Sequence, residues 1–320
     1  MLFGLSACAG RGEPKPTRAV QPQLARAHWV TADGTILPVR SWWPTGRQPT
    51  AIIVALHGFN DYGRAFEPPG RFLSQKGVAV IAYDQRGFGN APGRGWWAGA
   101  ETYASDLLAV IGQIRRRYPG LPVFVLGESM GGAVAMVALT DRDAPGVSGL
   151  ILSAPAVWSR DMMPWYQRAV LALFSATLPD LELTGSGLKI QASDNIAMLR
   201  ALGRDPLVIK GTRVDAIEGL ANLMDLAQAR APRLRIPTLV LYGERDQVIP
   251  RPPIDALLAK LPRRPDSRMA IYPQGYHLLL RDLQARLPLE DMLGWIADRN
   301  ARLKSGLELR PNAGQVSGGR

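Results

Sequence analysis

The 320 residues carry 38 Lys and Arg against 27 Asp and Glu, a formal charge of +11, with 47% hydrophobic and 20% charged residues. That apolar content supports a buried core and excludes an extensively disordered chain, while a single cysteine, Cys8, excludes an intramolecular disulfide and a cysteine-based zinc cluster. No run reaches the roughly 18 apolar residues of a membrane-spanning helix. The basic residues are dispersed, mostly arginine and without interleaved aromatic rings, so the charge reads as solvated surface or as attraction to acidic lipid headgroups, with no nucleic-acid partner.

The first eight residues, Met-Leu-Phe-Gly-Leu-Ser-Ala-Cys, resemble the end of a bacterial lipoprotein signal, with Cys8 as the lipidated residue. The basic segment and full apolar stretch of an export signal are missing or cut short. Two readings stay open: a gene start further upstream, which would anchor the protein to a membrane facing the periplasm, or an accidental match in a cytoplasmic protein. Residues 11–22, rich in Pro and charge, read as a linker, and 1–25 are set apart from the folded body.

From residue 26 the runs 27–31 and 36–42 flank Asp33-Gly34 and predict a hairpin with a two-residue turn. The short apolar runs 51–56, 78–83, 123–126 and 150–152 lack polar alternation and suit a parallel sheet covered on both faces. Helices are expected over 101–118, where Leu107, Leu108, Ile111 and Ile114 share a face before Pro119-Gly120, and over 130–139. This alternation predicts an α/β fold with a doubly wound, mostly parallel sheet. It breaks over 158–230, which reads as a helical insertion without a clear strand. Sheet pattern resumes at 238–242 and 268–272, and a last helix is expected over 289–303. The core thus comprises 26–157 and 231–304, followed by a flexible tail, 305–320.

Gly127-Glu128-Ser129-Met130-Gly131 matches the G-x-S-x-G turn in which a serine sits between a strand and a helix. A serine hydroxyl needs a base, normally histidine oriented by a carboxylate. The chain has three histidines. His28 lies in the hairpin and reads as a surface or packing residue, and His57 suits shaping a loop. His277 follows the last strand, where the order Ser, Asp, His puts the base. Asp246, on the loop after 238–242, is the expected acid, with Glu244 as runner-up and Asp282 as a structural partner. The backbone amides of Met130 and Phe59 are the expected oxyanion donors.

With these residues in place, the chain resembles the monoacylglycerol lipase and lysophospholipase group of α/β-hydrolases, also called serine-aminopeptidase-like hydrolases. The resemblance rests on the elbow, on His57-Gly58-Phe59, on Asp84-Gln85-Arg86-Gly87-Phe88-Gly89, on Gly243-x-x-Asp246 with Val248-Ile249-Pro250, and on Tyr276-His277. It implies a lipid-like ester substrate, no cofactor and no metal, and makes the 158–230 insertion a cap whose Met162, Met163, Trp165 and Tyr166 would line an acyl groove or pack the cap on the core. Two positions depart from the family pattern: Glu128 stands where histidine is common before the nucleophile, and Gln85 where histidine is common in the Asp-x-Arg-Gly loop. Glu128 is expected to be a hydrogen-bonded structural carboxylate beneath the elbow.

The leading functional expectation is hydrolysis of a carboxylic ester of monoacylglycerol or lysophospholipid type. An aminopeptidase or amidase with the same triad would need an acidic anchor for a free amine. A non-catalytic binding protein of this fold would typically have lost a triad member, and all three candidates are present. Dehalogenase or epoxide hydrolase chemistry would want Asp at position 129.

Overall fold

The computed structural model describes residues 20–140, 146–185, 187 and 190–309; Cys8 lies outside them. In chain order the elements are β1 (Gln23–Leu24), β2 (His28–Val30), β3 (Ile36–Trp42), β4 (Ala51–Leu56), α1 (Glu67–Gln75), β5 (Val78–Tyr83), α2 (Ala100–Arg117), β6 (Val123–Glu128), α3 (Met130–Leu139) and β7 (Gly149–Ser153). There follow α4 (Trp165–Thr177), β8 (Glu182–Thr184), α5 (Ile196–Arg204), β9 (Gly211–Arg213), α6 (Val214–Arg230), β10 (Thr238–Gly243), α7 (Arg251–Lys260), β11 (Arg268–Tyr272) and α8 (Arg286–Ala297).

The main sheet runs β1-β2-β3-β5-β4-β6-β7-β10-β11. From β5 to β11 every pairing is parallel, and β1 to β3 join antiparallel at one edge. Burial on both faces explains the unbroken apolar runs. Along β4, Ile52, Val54 and Leu56 enter the core under α2, α3, α6 and α7, whereas Ala51, Ile53 and Ala55 enter the core under α1 and α8. Every residue of α3 is buried, as expected of a helix apolar all round.

The hairpin turn is wider than expected: Val30 pairs with Ile36, leaving residues 31–35 as the loop. Asp33 is the cause. Its carboxylate accepts from the Thr31 hydroxyl and the Thr35 amide, and pairs with Arg86 of the Asp84-Gln85-Arg86 loop. The last helix also ends early, at Ala297. The expected flexible tail is ordered through residue 309. Glu308 pairs antiparallel with Ala270, Ile271 donates to the Leu307 carbonyl, and Leu309 donates to that of Met269.

Residues 158–230 are not purely helical, because β8 and β9 form a separate antiparallel pair. Three-residue strands with β8 fully exposed offer no periodicity to read. The segment is hydrogen-bonded to the core along its length, among others through Ser193 to Asp282, Asn195 to the Arg281 carbonyl and Gln228 to the carbonyls of Val157 and Pro253. Asn60 donates from Nδ2 to Thr212 Oγ1 (2.7 Å) and accepts the Ile209 amide on its carbonyl (3.0 Å), and Tyr62 donates to Asp205 (2.7 Å). Arg230 pairs with Glu101 of α2.

Candidate active site

β6 ends at Glu128 and α3 begins at Met130, so Ser129 must reverse the chain alone. It does so with φ 52° and ψ −116°, a conformation that L residues hold only where surrounding structure enforces it. The enforcement is close packing. A Cβ on Gly127 would lie 2.5 Å from backbone atoms of Gly131 and Gly132, and one on Gly131 would lie 2.2 Å from the Leu56 carbonyl oxygen. Only glycine lets strand and helix approach so nearly. The turn is anchored by the Ser129 amide donating to Ser153 and by the Ser129 carbonyl accepting from Gly132 and Ala156.

On neighbouring loops, at the carboxyl ends of β10 and β11, the structure brings Asp246 and His277 together. His277 donates from Nδ1 to Asp246 Oδ2 at 2.8 Å, and the Asp246 side chain is fully buried. Its other oxygen accepts the amides of Val248 (2.7 Å) and Ile249 (3.0 Å). The carboxylate is therefore fixed, and it fixes in turn the imidazole, leaving Nε2 as the free nitrogen. Glu244 is exposed and receives no such contacts. Asp282 accepts the Ser193 hydroxyl and the amide of Tyr276, next to His277; burial pushes its carboxyl up to about 6.

His28 is exposed on the hairpin. His57 is fully buried, and its bonds define its state. Nε2 accepts the Gln85 amide (3.0 Å), so Nδ1 carries the proton and donates to the Gly58 carbonyl (2.8 Å). Burial lowers its pKa, in keeping with a neutral ring. The Gly58 carbonyl also accepts the Asp61 amide (3.2 Å). That carbonyl shares a peptide plane with the Phe59 amide, so pinning the oxygen aims the Phe59 N–H the opposite way.

Glu128 is buried and hydrogen-bonded, and its partner is Arg281. The Arg281 side chain, 4% exposed, donates from Nη2 to Glu128 (2.7 Å) and from Nη1 to Asp61 (2.8 Å). A buried guanidinium between two carboxylates keeps its proton against the cost of burial.

A cavity of about 980 Å³ opens beside this turn, with Phe59, Asn60, Leu183, Ile209, Thr212 and Ile217 in its walls. Met162, Met163, Trp165 and Tyr166, expected to line an acyl groove or to pack the cap on the core, are not among the residues of this cavity's walls. Met162 and Met163 are half-buried, Met163 against the core, while Trp165 is 77% exposed and Tyr166 is exposed beside it. The expectation took dense apolar side chains as a sign of burial. Trp165 and Tyr166 instead stand exposed at the start of α4, a helix with no buried residue.

A family model described as serine aminopeptidase, S33, matches residues 47–284. Human monoglyceride lipase is 30% identical over 297 residues, covering 90% of this chain and 96% of that one. The chain belongs to the monoacylglycerol lipase-like group of S33 α/β-hydrolases. The monoacylglycerol lipase of Mycolicibacterium smegmatis is 27% identical, covering 84% of this hydrolase and 96% of its own chain. A soluble variant of the Saccharomyces cerevisiae monoglyceride lipase, solved with a substrate analogue, has the same fold, with a TM-score of 0.72 at 20% identity over 90% of this chain and all of that one.

This S33 hydrolase is a carboxylic ester hydrolase. What sequence reasoning missed in it is Arg281, which lies 153 positions from Glu128. One signal was available: a carboxylate at the end of a buried strand needs a buried cation or a ring of donors. Nothing in the residue order says which arginine supplies it.

Proposed function

We propose that this hydrolase cleaves monoacylglycerols and closely related lipid esters through an acyl-enzyme on Ser129. As Ser129 Oγ bonds to the ester carbonyl carbon, its proton passes to His277 Nε2, and Asp246 stabilises the resulting imidazolium. The tetrahedral oxyanion accepts hydrogen bonds from the amides of Met130 and Phe59. The first is a first-turn helix amide, which has no intrahelical acceptor. On collapse the bond to the glycerol oxygen breaks, and His277 returns the proton to that oxygen. Water then repeats the sequence on the acyl-enzyme and releases the fatty acid.

The observation that carries this reading is the 2.8 Å bond from His277 Nδ1 to a carboxylate already held by two amides. A lipid substrate is supported by the apolar walls of the cavity beside Phe59 and by the relatives' names. Among the described residues no Asp or Glu lines that cavity, whereas Lys210 does, so a free amine would find no anchor there. This weighs against aminopeptidase activity. Residues 158–230 act as the cap, with Leu183, Ile209 and Ile217 contacting the acyl chain. The exposed Trp165, Tyr166, Val170 and Leu173 of α4 rest on the lipid surface from which substrate is drawn, helped by the positive charge of the chain.

The test is turnover of purified protein on monoacylglycerols, lysophospholipids, p-nitrophenyl esters and aminoacyl anilides, with Ser129→Ala as control. Monoacylglycerols should be cleaved fastest and the alanine variant should be inert. Faster cleavage of anilides, or an active alanine variant, would sink the proposal.

A further inference from the structure

Three chain segments that are distant in sequence meet at the Arg281 guanidinium. One is the 57–61 turn, reached through Asp61; the second is the elbow, reached through Glu128 next to Ser129; the third is the loop after His277, which carries Arg281 itself. The position of a Cβ on Gly58 lies 3.4 Å from Ser129 Cβ and 3.8 Å from Glu128 Oε1, so the turn and the elbow are in direct contact where the guanidinium joins them. Asp61 is bound at both ends. Its carboxylate takes Arg281 and the Tyr62 amide, and its own amide donates to the Gly58 carbonyl, on the peptide that carries the Phe59 N–H.

We infer that Arg281 is a positioning residue for the reaction proposed above, setting the direction of the Phe59 amide relative to Ser129 by holding Asp61 and Glu128 on one rigid fork. Two buried carboxylates on one guanidinium are a costly arrangement, and neutral side chains of similar size are often as stable in such places. The geometry offers a reason to keep it. The planar fork fixes both distance and angle between its partners, which the point charge of a lysine does not. An oxyanion donor acts on the transition state, so its misalignment lowers kcat and leaves ground-state binding alone.

The experiment compares Arg281→Met, Arg281→Lys and the neutral triple variant Asp61→Asn, Glu128→Gln, Arg281→Met, reading thermal stability together with kcat and KM on p-nitrophenyl acetate. The triple variant leaves no unpaired buried charge and should unfold no lower than Arg281→Met. Its kcat should nevertheless stay down by about 10²-fold, the effect of a misplacement near 1 Å, with KM little changed. Arg281→Lys should recover part of the rate. If Arg281→Met does not fold, the other two variants still decide. A triple variant that regains wild-type kcat along with stability would overturn the inference and leave the network as packing.

Failure of the substrate reading looks different: wild-type protein would cleave p-nitrophenyl acetate and no monoacylglycerol, and the kcat comparison would still judge Arg281. Should the wild type cleave no ester, the rate of fluorophosphonate labelling at Ser129 replaces kcat. A loss of similar size in the triple variant supports the inference, and equal labelling rates overturn it.

Discussion

Asp246 meets His277 with only one of its two oxygens, because the other is occupied by the amides of Val248 and Ile249. The carboxylate cannot swing away, and the imidazole is held in the tautomer whose Nε2 is free. In Asp246→Asn the side-chain amide can present a donor to Nδ1 and favour the opposite tautomer. Turnover should fall by about 10⁴-fold, as in a comparable triad, while Glu244→Gln stays near wild type. Steady-state kinetics on one soluble ester distinguish the two, and the reverse ranking would transfer the role to Glu244.

The strain at Ser129 has a thermodynamic signature. A positive φ costs a non-glycine residue about 1 kcal/mol or more, and glycine nothing comparable. Ser129→Gly should therefore unfold about 1–2 °C above Ser129→Ala in calorimetry, although both should be inactive. Equal midpoints would mean that the elbow is not strained.

Asp282 should make stability depend on pH in a definite direction. Burial raises its carboxyl to about 6 from an ordinary 3.8, against the Ser193 hydroxyl and the Tyr276 amide that favour its charged form. Between those values the folded protein holds a proton that the unfolded chain has lost, so stability falls as pH rises through this window and levels above it. The unfolding midpoint of Asp282→Asn minus that of the wild type should accordingly grow from pH 4 to 6 and then stay constant. A constant difference throughout would remove Asp282 as the titrating group.

Ile217 stands in the cavity wall on α6. With about 0.8 kcal/mol per buried methylene, kcat/KM should rise roughly fourfold per added carbon until the cavity is full. Ile217→Trp should bring that plateau several carbons earlier while acetyl ester hydrolysis persists. An unchanged chain-length profile would put the acyl chain elsewhere.

Trp165 and Leu173 are 77% and 60% exposed on α4. Replacing both by Ser should weaken binding to anionic vesicles by about 100-fold or more, since each buried apolar side chain contributes about 1.5–3 kcal/mol. Hydrolysis of a soluble ester should be unaffected. Vesicle sedimentation gives the answer, and undiminished binding would leave α4 without a lipid contact.

The central strands were legible because burial on two faces writes itself as unbroken apolar runs: 51–56 and 78–83 coincide with β4 and β5. The turn at Ser129 was legible because glycine spacing is a steric requirement, and the meeting of Asp246 with His277 because strand ends and chain order restrict where the two can lie. The insertion was harder. Its exposed Trp165 and Tyr166 have the composition of core residues, and only their surroundings reveal that they face outward. Arg281 illustrates a different limit, since a partner chosen by three-dimensional proximity leaves no local pattern. Asp33 shows the same in small: Asp-Gly suggested a tight turn, but the carboxylate was committed to Thr31, Thr35 and Arg86.

The pairing of residues 307–309 along β11 closes what would otherwise be the open rim of the main sheet. An uncovered rim presents free amides and carbonyls to any other extended chain and invites edge-to-edge aggregation. A chain ended before residue 307 would uncover that rim while leaving Ser129, Asp246 and His277 in place. It would keep its chemistry but lose colloidal stability, so soluble yield would fall well before activity per molecule did.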